Sequence, residues 1–183
     1  MDNNYENEII NKKLLKERII FLNEEINSKT AGDIISKLLY LDALNNDDIK
    51  LYINSPGGEI SSGFMIYDTI NIIKSDVQTI SVGTSASMAA IILLAGTKGK
   101  RKILPNSKVM LHDLSGEFKG KFDDIITEVK EINKLHNKIF GIIENNTNFT
   151  LEQLEKNLKT DFWLNSEEAL KLGLVDKIIT NNN

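Results

Sequence analysis

The chain has 183 residues, 41% of them apolar and 26% charged, a globular composition that excludes disorder along its whole length. It has no cysteine, which excludes disulfides, a thiol nucleophile and cysteine-ligated metal sites, and its two histidines, His112 and His136, are the only candidates for imidazole chemistry. The net charge of −4 comes without a basic stripe, so nucleic acid is not expected as a partner.

The first eight residues are acidic and Asn-rich and lack the basic and apolar regions of a secretory signal. With Asn181 to Asn183 they read as solvated tails. Thr30 and Asp33 resemble a capping box, and Ile34, Ile35, Leu38, Leu39 and Leu41 follow at helical spacing. Ile49 to Asn54 predicts a strand, closed by the turn Ser55-Pro56-Gly57-Gly58. Phe64, Tyr67, Ile70 and Ile73 mark a second helix, and the β-branched run Val77 to Val82 a second strand. Ser87 to Ala95 predicts a short helix, apolar on nearly every face and therefore buried. Its apolar run is too short to span a bilayer, which needs about 20 residues, so a soluble, cytoplasmic protein without a membrane partner is expected. Short strands follow at Ile103-Leu104 and Val109 to Leu111. A long helix then carries Ile125, Val129, Ile132, Ile139 and Ile143 on one stripe. Thr150 with Gln153 caps the next helix, and Ser166 and Gly173 bound the last. This alternation predicts α/β layers around a largely parallel sheet.

Three places could carry chemistry. The turn Gly83-Thr84-Ser85-Ala86-Ser87-Met88 joins a buried strand to a buried helix and puts Ser87 near the helix N-terminus, where amides favour developing negative charge. A plain N-cap serine is the alternative. The five-residue nucleophile-elbow pattern is not met, because its last position is Ser87 rather than glycine. His112 ends a strand, where a base is readily presented, whereas His136 lies on the apolar stripe of the long helix and reads as a core or interface residue. Gly57-Gly58 after the first strand can aim amides at an oxyanion or make an ordinary turn. A histidine base would need a carboxylate partner, which spacing does not select.

Taken together, Tyr52-Ile53-Asn54-Ser55-Pro56-Gly57-Gly58, Ser85-Ala86-Ser87-Met88, Lys98-Gly99-Lys100-Arg101, Leu104-Pro105-Asn106-Ser107 and Val109-Met110-Leu111-His112 resemble the family of Clp protease proteolytic subunits (ClpP). Leu151-Glu152-Gln153-Leu154-Glu155 and Gly173-Leu174-Val175-Asp176 extend the likeness, which runs from about Leu14 to Asn181. The resemblance implies one serine peptidase domain over 1–183 with a crotonase-like α/β core. Residues 1–13 would form a short N-terminal arm, about 113–145 a protruding handle (the segment Leu114 to Gly120 and the long helix), and 181–183 a tail. It implies Ser87 as nucleophile, His112 as base, Asp161 as the acid, and Gly58 and Met88 as oxyanion donors. Tyr40 and Tyr52 would serve docking of a partner ATPase. No metal or other cofactor is implied. The implied function is hydrolysis of unfolded proteins and peptides inside stacked heptameric rings, a tetradecamer fed by a Clp-type AAA+ ATPase. A ring subunit with a mainly structural or regulatory role is the alternative. A crotonase-type acyl-CoA enzyme fits less well, because Ser87-Met88 follows the small-residue turn.

The sequence departs from the family in four places. The arm lacks the Gly-Glu-Arg and Asp-Ile-Tyr-Ser stretches. Lys159-Thr160 stands where many members have an acidic residue and Arg. Asp113-Leu114 follows the histidine in place of Gln-Pro. Lys50 and Ile72 replace aromatics of the docking surface. A divergent paralogue, mixed with a second isoform, is the expectation.

Overall fold

A computed structural model describes residues 3–114 and 120–180, with the backbone alone for 3–8. Helix α1 (Asn3–Lys16) leads into strand β1 (Ile19–Leu22) and helix α2 (Ser28–Leu44). Strand β2 (Ile49–Ser55), helix α3 (Ile60–Ile72), strand β3 (Val77–Ala86) and helix α4 (Met88–Leu94) follow. The second half comprises β4 (Lys102–Ile103), β5 (Lys108–Leu111), α5 (Phe122–Asn146), α6 (Leu151–Asn157), β6 (Phe162–Asn165), α7 (Ser166–Lys171) and β7 (Lys177–Ile178). The α/β architecture expected from the alternating pattern is the one observed.

The strands form one sheet in the order β1-β2-β3-β4-β7, all parallel, with β5 on β3 and β6 antiparallel on β5. β3 is its spine. Ile80 and Ser81 pair with β4, and then Thr84, Ser85 and Ala86 pair with β5. The strand expected to stop at Val82 thus continues to Ala86, because the polar residues after Gly83 satisfy a second ladder rather than a turn. Ile20, Leu22, Leu51 and Ile53 are buried in the sheet, and all of α4 is buried, as its composition requires.

One local reading is corrected. Helix α2 begins earlier than the Thr30–Asp33 pattern suggests. The Asn27 side chain accepts from the amides of Lys29 and Thr30 at 2.9 and 3.0 Å, so Asn27 rather than Thr30 is the cap. The N-terminal segment is helical from Asn3. The caps at Thr150 and at the start of α7 form as boxes, the latter through Asn165 and Glu168.

Helix α5 has 25 residues, yet only Ile139, Phe140 and Ile143 are buried. Its apolar stripe reaches the core through its last turns alone, while Phe122, Ile126 and Val129 face outward. The first turns therefore stand off the body as a handle. Residues 115–119 of the segment before it lie outside the described residues.

The most heavily bonded charge pair joins β4 to the turn before β7. Asp176 accepts from Arg101 Nε at 3.0 Å and Nη2 at 2.6 Å, and from the amides of Arg101 and Gly99. Burial works to raise the Asp176 carboxyl, but these hydrogen bonds outweigh it and hold the group below its ordinary value. A depressed carboxyl stabilises the fold above the unfolded value of about 3.9 and loses that contribution as pH falls through the folded one. Asp176→Asn, which strands a buried guanidinium, is expected to cost about 3 kcal/mol at pH 7. Urea midpoints at pH 7 and in strong acid should show the gap between variant and wild type closing once Asp176 is protonated. A gap that stays constant with pH would remove this account.

Candidate active site

The sheet brings four segments to one edge. β3 and β5 are parallel neighbours, and their last paired residues are Ala86 and Met110. Ser87 and His112 follow at the carboxyl ends of these strands, where open α/β sheets present their sites. The Ser87 amide donates to Met110 O at 2.9 Å, adding one rung beyond β3. The side chains then meet, with His112 Nε2 2.8 Å from Ser87 Oγ. β2 ends beside β3 with Ser55 opposite Ser85, which delivers Gly57 and Gly58 to the same edge. β6 enters antiparallel with Phe162 opposite Leu111, and Asp161 immediately precedes that strand.

Ser87 is held at φ 54°, ψ −125°, a backbone conformation that L-residues avoid and that costs about 1–3 kcal/mol. Its carbonyl, accepting from the amides of Ala90 and Ile91, fixes the turn from the helix side. Ser87 occupies the N-cap position of α4, but its side chain makes no capping bond. The hydroxyl is turned to His112 instead.

The glycine pair is pressed against this turn. Gly57 has φ 97°, and a Cβ there would lie 2.7 Å from Ser87 Cβ, 2.8 Å from Ala86 O and 3.0 Å from Met88 N. Gly58 has φ 148°, and its Cβ would overlap the Ile26 carbonyl. Ile26 clamps the pair from behind, its amide donating to Gly57 O at 2.8 Å and its carbonyl accepting from Glu59 N at 2.9 Å. The amides of Gly58 and Met88 reach no acceptor among the described residues. For Met88 this follows from its place in the first turn of a helix. Two unused donors beside a serine–histidine pair suit an oxyanion.

The remaining sequence candidates lie apart from this contact. Asp161 is exposed, and among the described residues nothing hydrogen-bonds to its carboxylate. Tyr40 is exposed on α2 beside Leu44, whereas Tyr52 stacks on Phe21 with ring centroids 5.5 Å apart. The two tyrosines line different pockets of the chain.

Two features were missed by sequence reasoning. An apolar cleft opens beside Ser87 and His112, walled by Ile60, Met88, Ile91, Leu111, Leu114 and Ile139. The carboxylate of Asp113, next to His112 in sequence, turns to His136 at 3.2 Å and also accepts from the Leu114 amide at 2.7 Å. The alternation of apolar residues in β5 and their stripe on α5 hint at the cleft. No local pattern links Asp113 to His136.

Among the described residues no group of three or more His, Cys, Asp or Glu could hold a metal ion, and no helix is long and apolar enough to cross a membrane. Compared with models of known protein families, the chain matches the model described as Clp protease over residues 2–182.

Proposed function

Because the chain belongs to the Clp protease family, we propose that it is a serine endopeptidase of one domain. Ser87 is its nucleophile, His112 its base and Asp161 its acid. The observation that carries this reading is the 2.8 Å contact between Ser87 Oγ and His112 Nε2 at a strained turn facing two free amides. The family's α/β core is the architecture described above, and the exposed first turns of α5 support its reading as the handle.

In the proposed reaction His112 Nε2 takes the hydroxyl proton as Ser87 Oγ attacks a peptide carbonyl carbon. The amides of Gly58 and Met88 receive the oxyanion. His112 returns the proton to the leaving nitrogen, and water, activated by the same ring, releases the acyl group. Asp161 closes onto His112 Nδ1 to fix its tautomer. The apolar cleft takes the side chain preceding the scissile bond.

The outward Phe122, Ile126 and Val129 of α5 support assembly through the handles, as stacked heptameric rings, homomeric or mixed with a second subunit type. A Clp-type AAA+ ATPase would feed unfolded protein into that chamber in the cytoplasm. Tyr40 and Tyr52, being separate within one protomer, would serve a common docking pocket only across a subunit boundary.

The test is intact mass after treatment with a fluorophosphonate. One adduct on wild type and none on Ser87→Ala is expected. The exposed, unbonded Asp161 favours a second reading, a ring subunit that mainly assembles and regulates another peptidase. Absence of any adduct, with candidate partner subunits present as well as without them, would establish that reading in place of the first.

A further inference from the structure

We propose that Ser107 and Asn54 are positioning residues for Ser87: their side chains supply the hydrogen bonds that the sheet cannot where β3 changes neighbour, and they thereby set the register at which the serine meets His112. The inference rests on the serine-peptidase reading above. β3 is paired with β4 at Ile80 and Ser81 and with β5 from Thr84 onward, so Val82 and Gly83 pair with neither. On its other side β2 advances from Ile53 to Ser55 while β3 advances from Ser81 to Ser85, so Val82, Gly83 and Thr84 have no rung on β2 either. Such a bulge leaves backbone groups in need of partners, and in folded chains groups of that kind are nearly always paired.

Two side chains provide the partners. The Gly83 amide donates to Ser107 Oγ at 2.9 Å, and the Thr84 amide to Asn54 Oδ1 at 3.1 Å. The Ser107 hydroxyl in turn donates to Ser81 O at 3.2 Å, and the Ser107 amide to Leu104 O at 3.0 Å. Ser107 is 2% exposed and Ser81 fully buried, so water does not stand in for these bonds. Asn54 closes on the bulge from β2, its Oδ1 lying 2.7 Å from where a Cβ on Gly83 would be. Gly83 directly precedes Thr84, and Ser107 directly precedes Lys108, the first pair of the β3–β5 ladder. The Gly83–Ser107 bond therefore stands where the preceding rung would be and starts the two strands in step. The ladder has only the pairs at Thr84, Ser85 and Ala86 before Ser87 leaves it, and a polar stretch that begins at a glycine specifies register weakly by itself. Neither side chain bonds to Ser87 or His112, so both act through the backbone.

The experiment compares peptide hydrolysis and the rate of fluorophosphonate labelling in the assembled full-length protein, well below its unfolding temperature. Ser107→Ala should lower kcat and the labelling rate together, about tenfold, with KM within about twofold, because a serine set off line reacts more slowly without weakening substrate binding. Ser75→Ala is the matched control. Its hydroxyl is as buried, at 3% exposed, and makes two bonds ahead of the opposite end of β3, accepting from Arg18 Nη2 and donating to Asn45 O. That variant should lose similar stability in urea and keep its kcat. Asn54 is exposed, so its variants probe the same register without threatening the fold. Asn54→Ala should lower kcat about threefold, whereas Asn54→Asp, which keeps the Oδ1 acceptor, should not. A kcat within about twofold of wild type in both Ser107→Ala and Asn54→Ala, an equal loss in Ser75→Ala, or an Asn54→Asp as slow as Asn54→Ala overturns the inference. If Ser107→Ala does not fold, the two Asn54 variants decide. Labelling separates the failures. A labelled wild type with unaffected variants overturns the inference alone, whereas an unlabelled wild type overturns the peptidase reading and the inference with it.

Discussion

Ser87→Ala is expected to lower peptide hydrolysis by about 10⁴- to 10⁶-fold, and His112→Ala by a comparable factor. The two groups act as one unit, because the hydroxyl is a poor nucleophile until the ring removes its proton, and the ring has nothing to deprotonate without the hydroxyl. The double variant should therefore be no slower than the slower single variant, since what survives comes from the amides and from substrate binding. Folding should be almost unaffected. Alanine meets the same positive φ at position 87 that serine meets, and the hydroxyl makes no cap bond that would be lost. Single-turnover rates alongside thermal unfolding check both halves. Activity of Ser87→Ala within tenfold of wild type would remove Ser87 from the reaction.

Gly57→Ala should also lower the rate, by a smaller factor and a different route. The added methyl would sit 2.7 Å from Ser87 Cβ and 3.0 Å from Met88 N. Either the Ser87–Met88 peptide or the Gly57–Gly58 peptide must yield, and each carries one of the proposed oxyanion amides. Loss of one such donor costs about 10²- to 10³-fold in kcat. The variant also pays for an L-residue at φ 97°, about 1–2 kcal/mol of stability. Gly99→Ala separates the two effects. Gly99 has φ 87° with nothing within 4 Å of an added Cβ, so that variant should lose stability and keep its rate. A Gly57→Ala protein with wild-type kcat would show that the glycines do not place the oxyanion donors.

The parts of this arrangement legible in the sequence are those with a local cause. The β-branched run of β3, the apolar α4 and the Thr150–Gln153 cap announce themselves within a few residues; the cap forms as read, the helix within a residue at each end, and the strand runs past its predicted end. Strand-end placement drew attention to His112, and small neighbours drew it to Ser87. Other parts were hidden because their cause lies across the sheet. β1 and β7 are too short, at 4 and 2 residues, to show a period. The extension of β3 through Gly83 to Ala86 depends on β5 arriving alongside it, which no window of β3 reveals. Asp161 had only the family resemblance to recommend it among many acids. The antiparallel pairing of β6 with β5 ends at Phe162 opposite Leu111, and Asp161 lies outside that ladder. The Asp113–His136 contact joins a strand end to a helix face through residues 23 apart, 136 − 113, and has no pattern to betray it.

The shared ladder of β3 and β5 also decides where the chain can tolerate a change of length. The meeting of Ser87 with His112 depends on pairing register, since Thr84, Ser85 and Ala86 face Lys108, Val109 and Met110 in step. One residue inserted into either strand would turn its side chains to the opposite face and carry Ser87 or His112 away from its partner. The first turns of α5 are bound by no such step, because their side chains are exposed and contribute no rung to the sheet. The handle is thus free to vary in length while the two strands that deliver the chemistry are not.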